Sequence, residues 1–317
     1  MIENSDQKRI LITGAGSYIG ESFRKYASKH YPQFKIDAIS MHGSEWKNYD
    51  FSKYDSIFHV AGIAHADIKK ASKEEKRRYY EVNTKLAVET ARKARNEGVR
   101  QFIFMSSMLI YGEAAPIDKD KIITKDTQPE PSNFYGDSKW QADRRIGKLG
   151  NKELNTNNIL LESGLGKTGF WTAIVRCPMV YGERCKGNYP KLSKLARKIP
   201  VFPDIHNKRS MIYIGNLCEF ICRLIINGSA GIFYPQNAEV TGTAELFKAI
   251  RTAYGKKTYI TKLLNPVVRI LSYIPGSIGK TVNKVFGSCC YDTGLSDCGF
   301  DYITCEFEQS VRLSEHL

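Results

Sequence analysis

The chain has 317 residues, 42% of them hydrophobic and 25% charged, and its 47 Lys and Arg against 33 Asp and Glu leave a net charge of +14. That length buries a real core, as one large or two modest domains, and the composition is that of an ordinary globular protein. No apolar run reaches the ~18 residues a membrane-spanning helix needs.

Residues 1–8 are polar and open directly into a strand, so no signal peptide is expected. The eight cysteines are scattered, as in a reducing compartment. Cys218 and Cys222 lie four apart on an apolar helix, with no second Cys/His pair at zinc spacing. They read as core thiols, Cys289-Cys290 adds no ligand pattern, and no metal is expected. The charge admits nucleic acid, an anionic membrane surface or a phosphate-bearing substrate. The basic residues are spread along the chain. The runs at 69–70 and 73–78 include Glu74 and Glu75, as a solvated face does, and no nucleic-acid module accompanies them. No nucleic-acid partner is expected.

Residues 9–13 (Arg-Ile-Leu-Ile-Thr) form a short apolar run, a buried strand by pattern. Gly14-Ala15-Gly16-Ser17-Tyr18-Ile19-Gly20 follows, then a helix to about Lys29. Strand, glycine turn and helix make the setting of a dinucleotide site: the glycines allow close phosphate approach, and the helix N-terminus faces the pyrophosphate. Residues 35–40 are a second strand. A site selective for the unphosphorylated cofactor often has an acid at this strand's end. Here the end reads Ser40-Met41-His42, and Asp37 comes too early, so the choice between NAD and NADP stays open. A third strand at 56–61 ends at Gly62, a long helix at 72–96 contains Asn83, and a fourth strand at 101–106 runs into Ser107-Met108-Leu109-Ile110-Tyr111-Gly112.

Pro129 and Pro131 break the chain before the next helix, which Ser132 is expected to cap. Tyr135 and Lys139 are four apart and share a face. An ammonium beside the phenol lowers its proton affinity toward neutrality, which makes Tyr135 an acid/base for a hydroxyl or carbonyl. Residues 150–169 read as a polar insertion. Its Gly166-Lys167-Thr168 imitates a phosphate-binding loop, but Leu161 stands where that loop needs glycine. A fifth strand at 171–176 ends in Cys177-Pro178-Met179-Val180-Tyr181-Gly182. The alternation argues for an α/β fold with a doubly wound parallel sheet.

Beyond Tyr181 the pattern changes to a basic helix at 191–198, an apolar loop at 199–203, a strand at 209–214 and a helix at 216–226. The expected organisation is a dinucleotide-binding domain over 1–180, with a return segment at about 209–235. A smaller substrate-binding cap, 181–208 and 236–317, lies over the sheet's C-terminal edge. Residues 261–286 place leucines, valines and isoleucines among Lys262, Arg269, Lys280 and Lys284. Such a stretch either lies on an anionic membrane or packs as a cap helix; Pro266 and Pro275 interrupt the pattern and favour packing.

In this order, six motifs resemble the extended short-chain dehydrogenase/reductase family, the NAD-dependent epimerase/dehydratases of nucleotide sugars, over nearly the whole chain. They are Thr13-Gly14-Ala15-Gly16-Ser17-Tyr18-Ile19-Gly20, His59-Val60-Ala61-Gly62, Tyr80 with Asn83, Ser106-Ser107 ahead of Tyr111-Gly112, Tyr135-Gly136-Asp137-Ser138-Lys139, and Arg176-Cys177-Pro178-Met179-Val180-Tyr181-Gly182.

The resemblance implies a Rossmann-type domain with Ser107, Tyr135 and Lys139 as catalytic residues, Lys139 also bonding the nicotinamide ribose. It implies cofactor contacts from Gly14, Ser17, Tyr18, Ile19, Gly20, Asp50, Phe51, Ala61, Gly62 and Asn83. On the substrate side it implies Ser107 at the sugar oxygen, Asn188 and Arg209 at a diphosphate, and Phe202 against a uracil ring. An arginine fork suits a diphosphate. Met179 stands where an asparagine usually meets the substrate, Ser17 replaces the family's middle glycine, and Asn216 replaces a frequent aspartate.

The implied activity is an NAD(P)-dependent 4-epimerase of a UDP-hexose or UDP-N-acetylhexosamine, working by C4 oxidation and re-reduction in bacterial surface polysaccharide synthesis. The alternatives are a 4-keto reductase of a UDP-4-keto-6-deoxy sugar and an epimerase of a polyprenyl-diphosphate-linked sugar. A 4,6-dehydratase is disfavoured, because Met108-Leu109 follows Ser107 where those enzymes carry Asp-Glu. A dinucleotide-binding sensor has no need of all three catalytic side chains. The implied protein is a cytoplasmic homodimer with a nucleotide-sugar substrate and NAD, NADP being the alternative. Peripheral contact with the inner membrane face is the variant location.

Overall fold

The computed structural model describes residues 7–64, 71–150 and 169–317, and the backbone of 159–160. Lys69-Lys70 and, apart from that backbone, residues 151–168 of the expected insertion lie outside the described residues, the Gly-Lys-Thr imitation with them. The first half runs β1 (Lys8–Thr13), α1 (Tyr18–His30), β2 (Phe34–Ile39), β3 (Ser56–His59), α2 (Lys73–Tyr79), α3 (Ala87–Asn96), β4 (Gln101–Met105), β5 (Ile122–Ile123) and α4 (Phe134–Gly147). The second runs β6 (Ile159–Leu160), β7 (Trp171–Val175), β8 (Met179–Tyr181), α5 (Asn188–Lys198), β9 (Val201–Pro203), β10 (Met211–Tyr213), α6 (Ile214–Ile226), β11 (Ala230–Phe233), α7 (Thr243–Ala253), β12 (Tyr259–Thr261), α8 (Asn265–Tyr273), α9 (Ser277–Phe286), β13 (Cys290–Tyr291) and α10 (Phe307–Ser314).

The central sheet has the order β2-β1-β3-β4-β7-β11, all parallel, with β6 antiparallel at the edge. Every residue of β4 and β7 is buried, as a parallel strand covered on both faces requires. On one face Phe23 and Ala27 of α1 meet Leu217, Phe220 and Leu224 of α6. On the other, Ala87, Ala91, Ala94 and Ala142 let α3 and α4 close on Phe102 and Phe104. Each fully buried phenylalanine there contributes about 1.5–3 kcal/mol. All eight cysteines are free and buried.

Two local features depart from expectation. The helix at 72–96 is broken by a π-helical turn, Tyr80–Leu86. The wider turn aims Asn83 and Thr84 inward, where Asn83 Nδ2 and Thr84 Oγ1 donate to the Ser138 hydroxyl and carbonyl at 3.1 and 2.7 Å. Such turns cluster at functional sites. The cap of α4 is Asn133, not Ser132: Asn133 is extended, and its Oδ1 accepts the Gly136 amide at 2.9 Å.

Outside the sheet, α5, β9, α7, α9 and α10 surround a separate apolar cluster that includes Tyr189, Phe202, Phe247, Ile250, Phe286 and Val311. The 261–286 stretch is a helical hairpin, α8 and α9. Pro266 sits in the first turn of α8, where its missing amide costs nothing, so it starts the helix and interrupts nothing. The expected packing against the core is only partial. Val268, Val282, Val285 and Phe286 turn inward, while Leu263, Val267, Ile270, Tyr273 and Ile278 stay exposed. Among the described residues no helix is long and apolar enough to cross a membrane.

The ends of β1 and β3 meet at one glycine. Gly14 has φ +123°, and a Cβ there would stand 2.7 Å from the Ala61 amide nitrogen and 2.9 Å from its Cα. Gly16 has φ +78° with open space around it. Gly14→Ala is therefore expected to cost about 3 kcal/mol or more, through both strain and collision, and Gly16→Ala about 1 kcal/mol from strain alone. Urea unfolding of the two variants checks the order; equal losses would refute the close-approach argument.

Candidate active site

The first part of the site is the turn before α1. Gly14 and Ala15 donate their amides to the Ile39 carbonyl at 3.0 and 2.9 Å, which pins the turn to the end of β2. Ser17 caps α1, its hydroxyl accepting from the Gly20 amide at 3.3 Å. The residue that replaces the expected glycine therefore serves as a cap. Among the described residues the amides of Tyr18 and Ile19 make no hydrogen bond. They face outward from the helix N-terminus, as an anion site requires. The Tyr18 phenol points elsewhere, to within 2.9 Å of where a Gly182 Cβ would stand, and burial pushes its pKa up. A Cβ on Gly20 would lie 3.1 Å from Ile12 Cγ2 and from Val60 Cγ2, so the glycine brings α1 down onto β1.

No acid is presented at the end of β2. The Asp37 carboxylate accepts from the Tyr54 phenol at 2.6 Å, while Ser40 and His42 are exposed. Asp50 is exposed, and bonds from the Ser52 amide and hydroxyl at 2.9 and 2.6 Å hold its carboxyl below the usual range. The Phe51 ring is wholly buried and its amide donates to Glu97 Oε2 at 2.7 Å, so its ring cannot reach a ligand.

The second part is the corner where β4 ends. Ser107 is extended, its hydroxyl accepts the Leu109 amide at 3.2 Å, and it lies near enough to the Tyr135 phenol to lower that group's proton affinity. Gly136 makes that meeting geometrically possible: a Cβ there would collide with the Leu109 carbonyl, so only glycine lets α4 lie against this turn. One turn along α4, Lys139 donates to the Met105 carbonyl at 2.8 Å and lies 4.9 Å from the Phe104 ring centre. The backbone of Gly62 passes over this amine. A Cβ there would stand 3.2 Å from both Lys139 Nζ and Asn83 Oδ1. Asn83 clamps the same loop, accepting from the Ile63 amide at 2.8 Å and donating to its carbonyl at 3.0 Å. Ala61, Gly62, Asn83, Ser107, Tyr135 and Lys139 thus belong to one corner.

The electrostatics of this corner differ from expectation. Burial pushes the Tyr135 phenol up to about 12, with the neighbouring Ser107 hydroxyl working against it. Burial also pulls Lys139 down to about 8, with Asp143 opposing. The expectation that Lys139 draws the phenol toward neutrality fails in the protein alone. The amine is committed to the Met105 carbonyl, and loss of hydration outweighs its attraction for the phenolate.

Sequence reasoning missed the group that holds this corner. Arg176 and Asp143 are both buried, and Arg176 Nε and Nη2 reach the carboxylate at 3.0 Å each. Ser106 donates to the same carboxylate at 2.8 Å, and Arg176 Nη1 donates to the Tyr111 and Tyr234 phenols at 2.6 and 3.1 Å. A lone arginine after the apolar strand, with an aspartate four residues beyond Lys139, was the available signal. Asn216, where an aspartate was expected, anchors the C-terminal segment: its Oδ1 accepts the Thr304 and Cys305 amides, both at 3.0 Å.

On the substrate side, Met179 is partly buried on β8 and Asn188 is exposed at the start of α5. Phe202 is not available to a uracil ring. It is buried, stacked on Phe247 at 4.2 Å and tilted against Phe286 at 5.5 Å. Arg209 is partly exposed, but Nη1 is taken by the Lys284 and Gly287 carbonyls at 2.7 and 3.2 Å, which caps α9. Its fork is half committed.

Asp143→Ala should destabilise the protein by about 3–5 kcal/mol in urea unfolding, because it leaves a buried guanidinium without its partner. Lys139 also sets a pH dependence. Its folded pKa of about 8 lies below the unfolded value, so between the two the unfolded chain holds a proton the folded chain has released. Wild-type stability measured against Lys139→Met should therefore rise from about pH 8 to about pH 10 and level off below that window. A gap that widens in the opposite sense would refute the burial argument.

The chain spans 58% and 61% of the two relatives it matches in sequence. It is 30% identical over 209 residues, 64% of its own length, to a UDP-glucose 4-epimerase of Vibrio cholerae. It is 26% identical over 226 residues, 70% of its length, to an N-acetyl-alpha-D-glucosaminyl-diphospho-ditrans,octacis-undecaprenol 4-epimerase of Escherichia coli O157:H7. Its fold is similar to the Bordetella bronchiseptica enzyme WbmG solved with NAD, with a TM-score of 0.68 over 100% of this chain and 95% of that one. At 16% identity that likeness concerns the fold alone. The family model described as NAD dependent epimerase/dehydratase matches residues 10–234, the stretch that holds both the glycine turn and the Ser107–Tyr135–Lys139 corner, and the chain belongs to that family.

Proposed function

We propose that this protein is an NAD-dependent sugar 4-epimerase acting on a UDP-hexose or UDP-N-acetylhexosamine in bacterial surface polysaccharide synthesis. The observation that carries the reading is the gathering of Ser107, Tyr135 and the buried Lys139 in one corner on the C-terminal edge of the sheet. The 4-epimerase names of the two relatives support it. Homodimerisation and contact with the inner face of a membrane belong to the same proposal, as does a division into a dinucleotide domain (1–180, returning at about 209–235) and a cap.

The residues present fit a dinucleotide. Gly14 lets the turn close on Ala61, Gly16 has open space around it at the α1 N-terminus, the Tyr18 and Ile19 amides face a pyrophosphate, and Gly62 leaves room beside Lys139. When bound, the oxidised nicotinamide supplies a hydride acceptor and a positive charge that stabilises a neighbouring phenolate. The chain's own residues do the rest. Ser107 holds the substrate hydroxyl and Tyr135 moves its proton. Asn83 fixes the loop at Gly62 through Ile63, and Lys139 lies beneath it. The absence of an acid at the end of β2 leaves NADP as the alternative.

A second reading concerns the carrier. Phe202 lies in the core, which removes the expected contact with uracil, a group that only the uridine nucleotide carries. That favours a sugar on a polyprenyl diphosphate over one on a uridine nucleotide.

Denaturing the purified protein should release tightly held NAD. An empty protein that binds NADPH would point instead to the 4-keto reductase. Tyr135→Phe should retain the cofactor and lose about 10²–10⁴ in turnover. Wild-type turnover by that variant would end the catalytic assignment.

A further inference from the structure

Basic residues run along the whole chain, but their excess does not. Between Glu183 and Asp204, and again between Glu245 and Asp292, there are 14 Lys and Arg and no Asp or Glu. The remaining residues carry 33 of each sign, so these two stretches hold the entire net charge of +14. The fold brings them together. β9 and β12 pair in parallel, with Val201 beside Tyr259. The buried Arg251 donates to the Ala196 and Ile199 carbonyls at 2.6 and 2.8 Å and to the Lys257 carbonyl, stapling one stretch to the other. Lys256 Nζ adds a bond to the Arg197 carbonyl at 2.9 Å.

This basic region also carries the apolar residues that the hairpin leaves outside. Leu263 is 87% exposed, Tyr273 86%, Ile270 67%, Val267 55% and Ile278 50%, and Tyr259 beside them is 59% exposed. Lys262, Lys280 and Lys284 on the hairpin and Lys191, Lys194 and Lys198 on α5 are exposed as well. So many exposed apolar side chains on one helical hairpin, among lysines, mark an interaction surface. Nucleic-acid binding draws chiefly on phosphate contacts, and no recognisable nucleic-acid module accompanies this patch. A second copy would meet this face with the same charge, and a uniformly basic face is not self-complementary.

We propose that α5, the β9–β12 pair and the α8–α9 hairpin form one face that docks on an anionic lipid bilayer, apolar tips among the headgroups and lysines against the lipid phosphates. This deepens the membrane-contact part of the proposed function and does not need the catalytic assignment. The face is tied to the site. Arg269 of α8 pairs with Asp118 at 2.6 and 3.0 Å, and Asn283 of α9 accepts the Ile117 amide at 3.1 Å. Both contacts hold the segment that leads away from Ser107 and Tyr111. Docking therefore sets the cleft at a fixed height above the bilayer.

The test is co-sedimentation of the full chain with vesicles of equal parts phosphatidylglycerol and phosphatidylcholine, against phosphatidylcholine alone. At low salt the protein should pellet with the anionic vesicles only, and salt should release it. Two surface variants, Leu263→Ser/Ile270→Ser/Tyr273→Ser and Lys262→Glu/Lys280→Glu/Lys284→Glu, should each weaken binding by about tenfold or more while unfolding as wild type does. No pelleting at low salt overturns the proposal, and so does binding that either variant leaves unchanged. A wild-type dimer that the serine variant converts to monomer, with no vesicle binding, would assign the face to a second copy instead. Released NAD and Tyr135→Phe turnover are read separately, so failure here leaves the epimerase reading standing.

Discussion

The buried pair between Arg176 and Asp143 is the constraint on which the site depends. It joins the end of β7 to α4, while Ser106 ties the end of β4 to the same carboxylate. Strand ends in such a sheet are free to splay, and a helix packed by alanines is free to slide. A charge pair removed from water permits neither, because any displacement leaves an unsolvated ion. The position of Lys139 follows, one turn from Asp143 on the same helix face, and so does that of Tyr135 one turn earlier. Arg176 is itself enclosed by the Tyr111, Tyr234 and Trp140 rings, so the pair is sealed from solvent on the side toward the cleft.

Burial that is favourable for position works against charge. The corner that holds Tyr135 and Lys139 also strips both of water, and each shifts toward its neutral form: phenol up, amine down. The protein alone therefore rests with a protonated phenol, suited to giving a proton before taking one. A positive charge brought into the corner works against the phenol's upward shift, because Coulombic attraction is strong where hydration is poor. Proton affinity here is set by burial more than by the sequence spacing of the two residues.

The parts outside the sheet divide along similar lines. Phe202 and Arg209 match family positions by sequence, yet both are drawn into structural work, one in an aromatic stack and the other at the end of α9. Meanwhile residues that read as a packed helix remain outside. Segregation of the surplus charge into the two stretches that pair there gives those exposed side chains a setting that scattered surface hydrophobics lack.

Much of this was legible in the chain itself. Five of the six parallel strands, the glycine turn before α1 and the spacing of Tyr135 and Lys139 follow from local pattern, since a buried strand needs a continuous apolar run and a tight turn needs glycine at positive φ; the sixth, β11, was not legible, and the strand expected at 209–214 pairs with β8 outside this sheet. The location of the surplus charge was equally countable, although the even spread of lysines concealed it. What sequence could not supply depends on partners far along the chain. Asn133 displaced Ser132 as cap because the entry angle of α4 is set by its packing on Leu109. The π turn formed because Asn83 has to reach Ile63 and Ser138. The shifts of Tyr135 and Lys139 come from burial by β4 and its neighbours. Local pattern determined which elements form and which residue types meet at their ends. Tertiary packing alone decided which of those side chains stay open to a ligand, because desolvation and hydrogen-bond partnership arise only when distant segments close on one another.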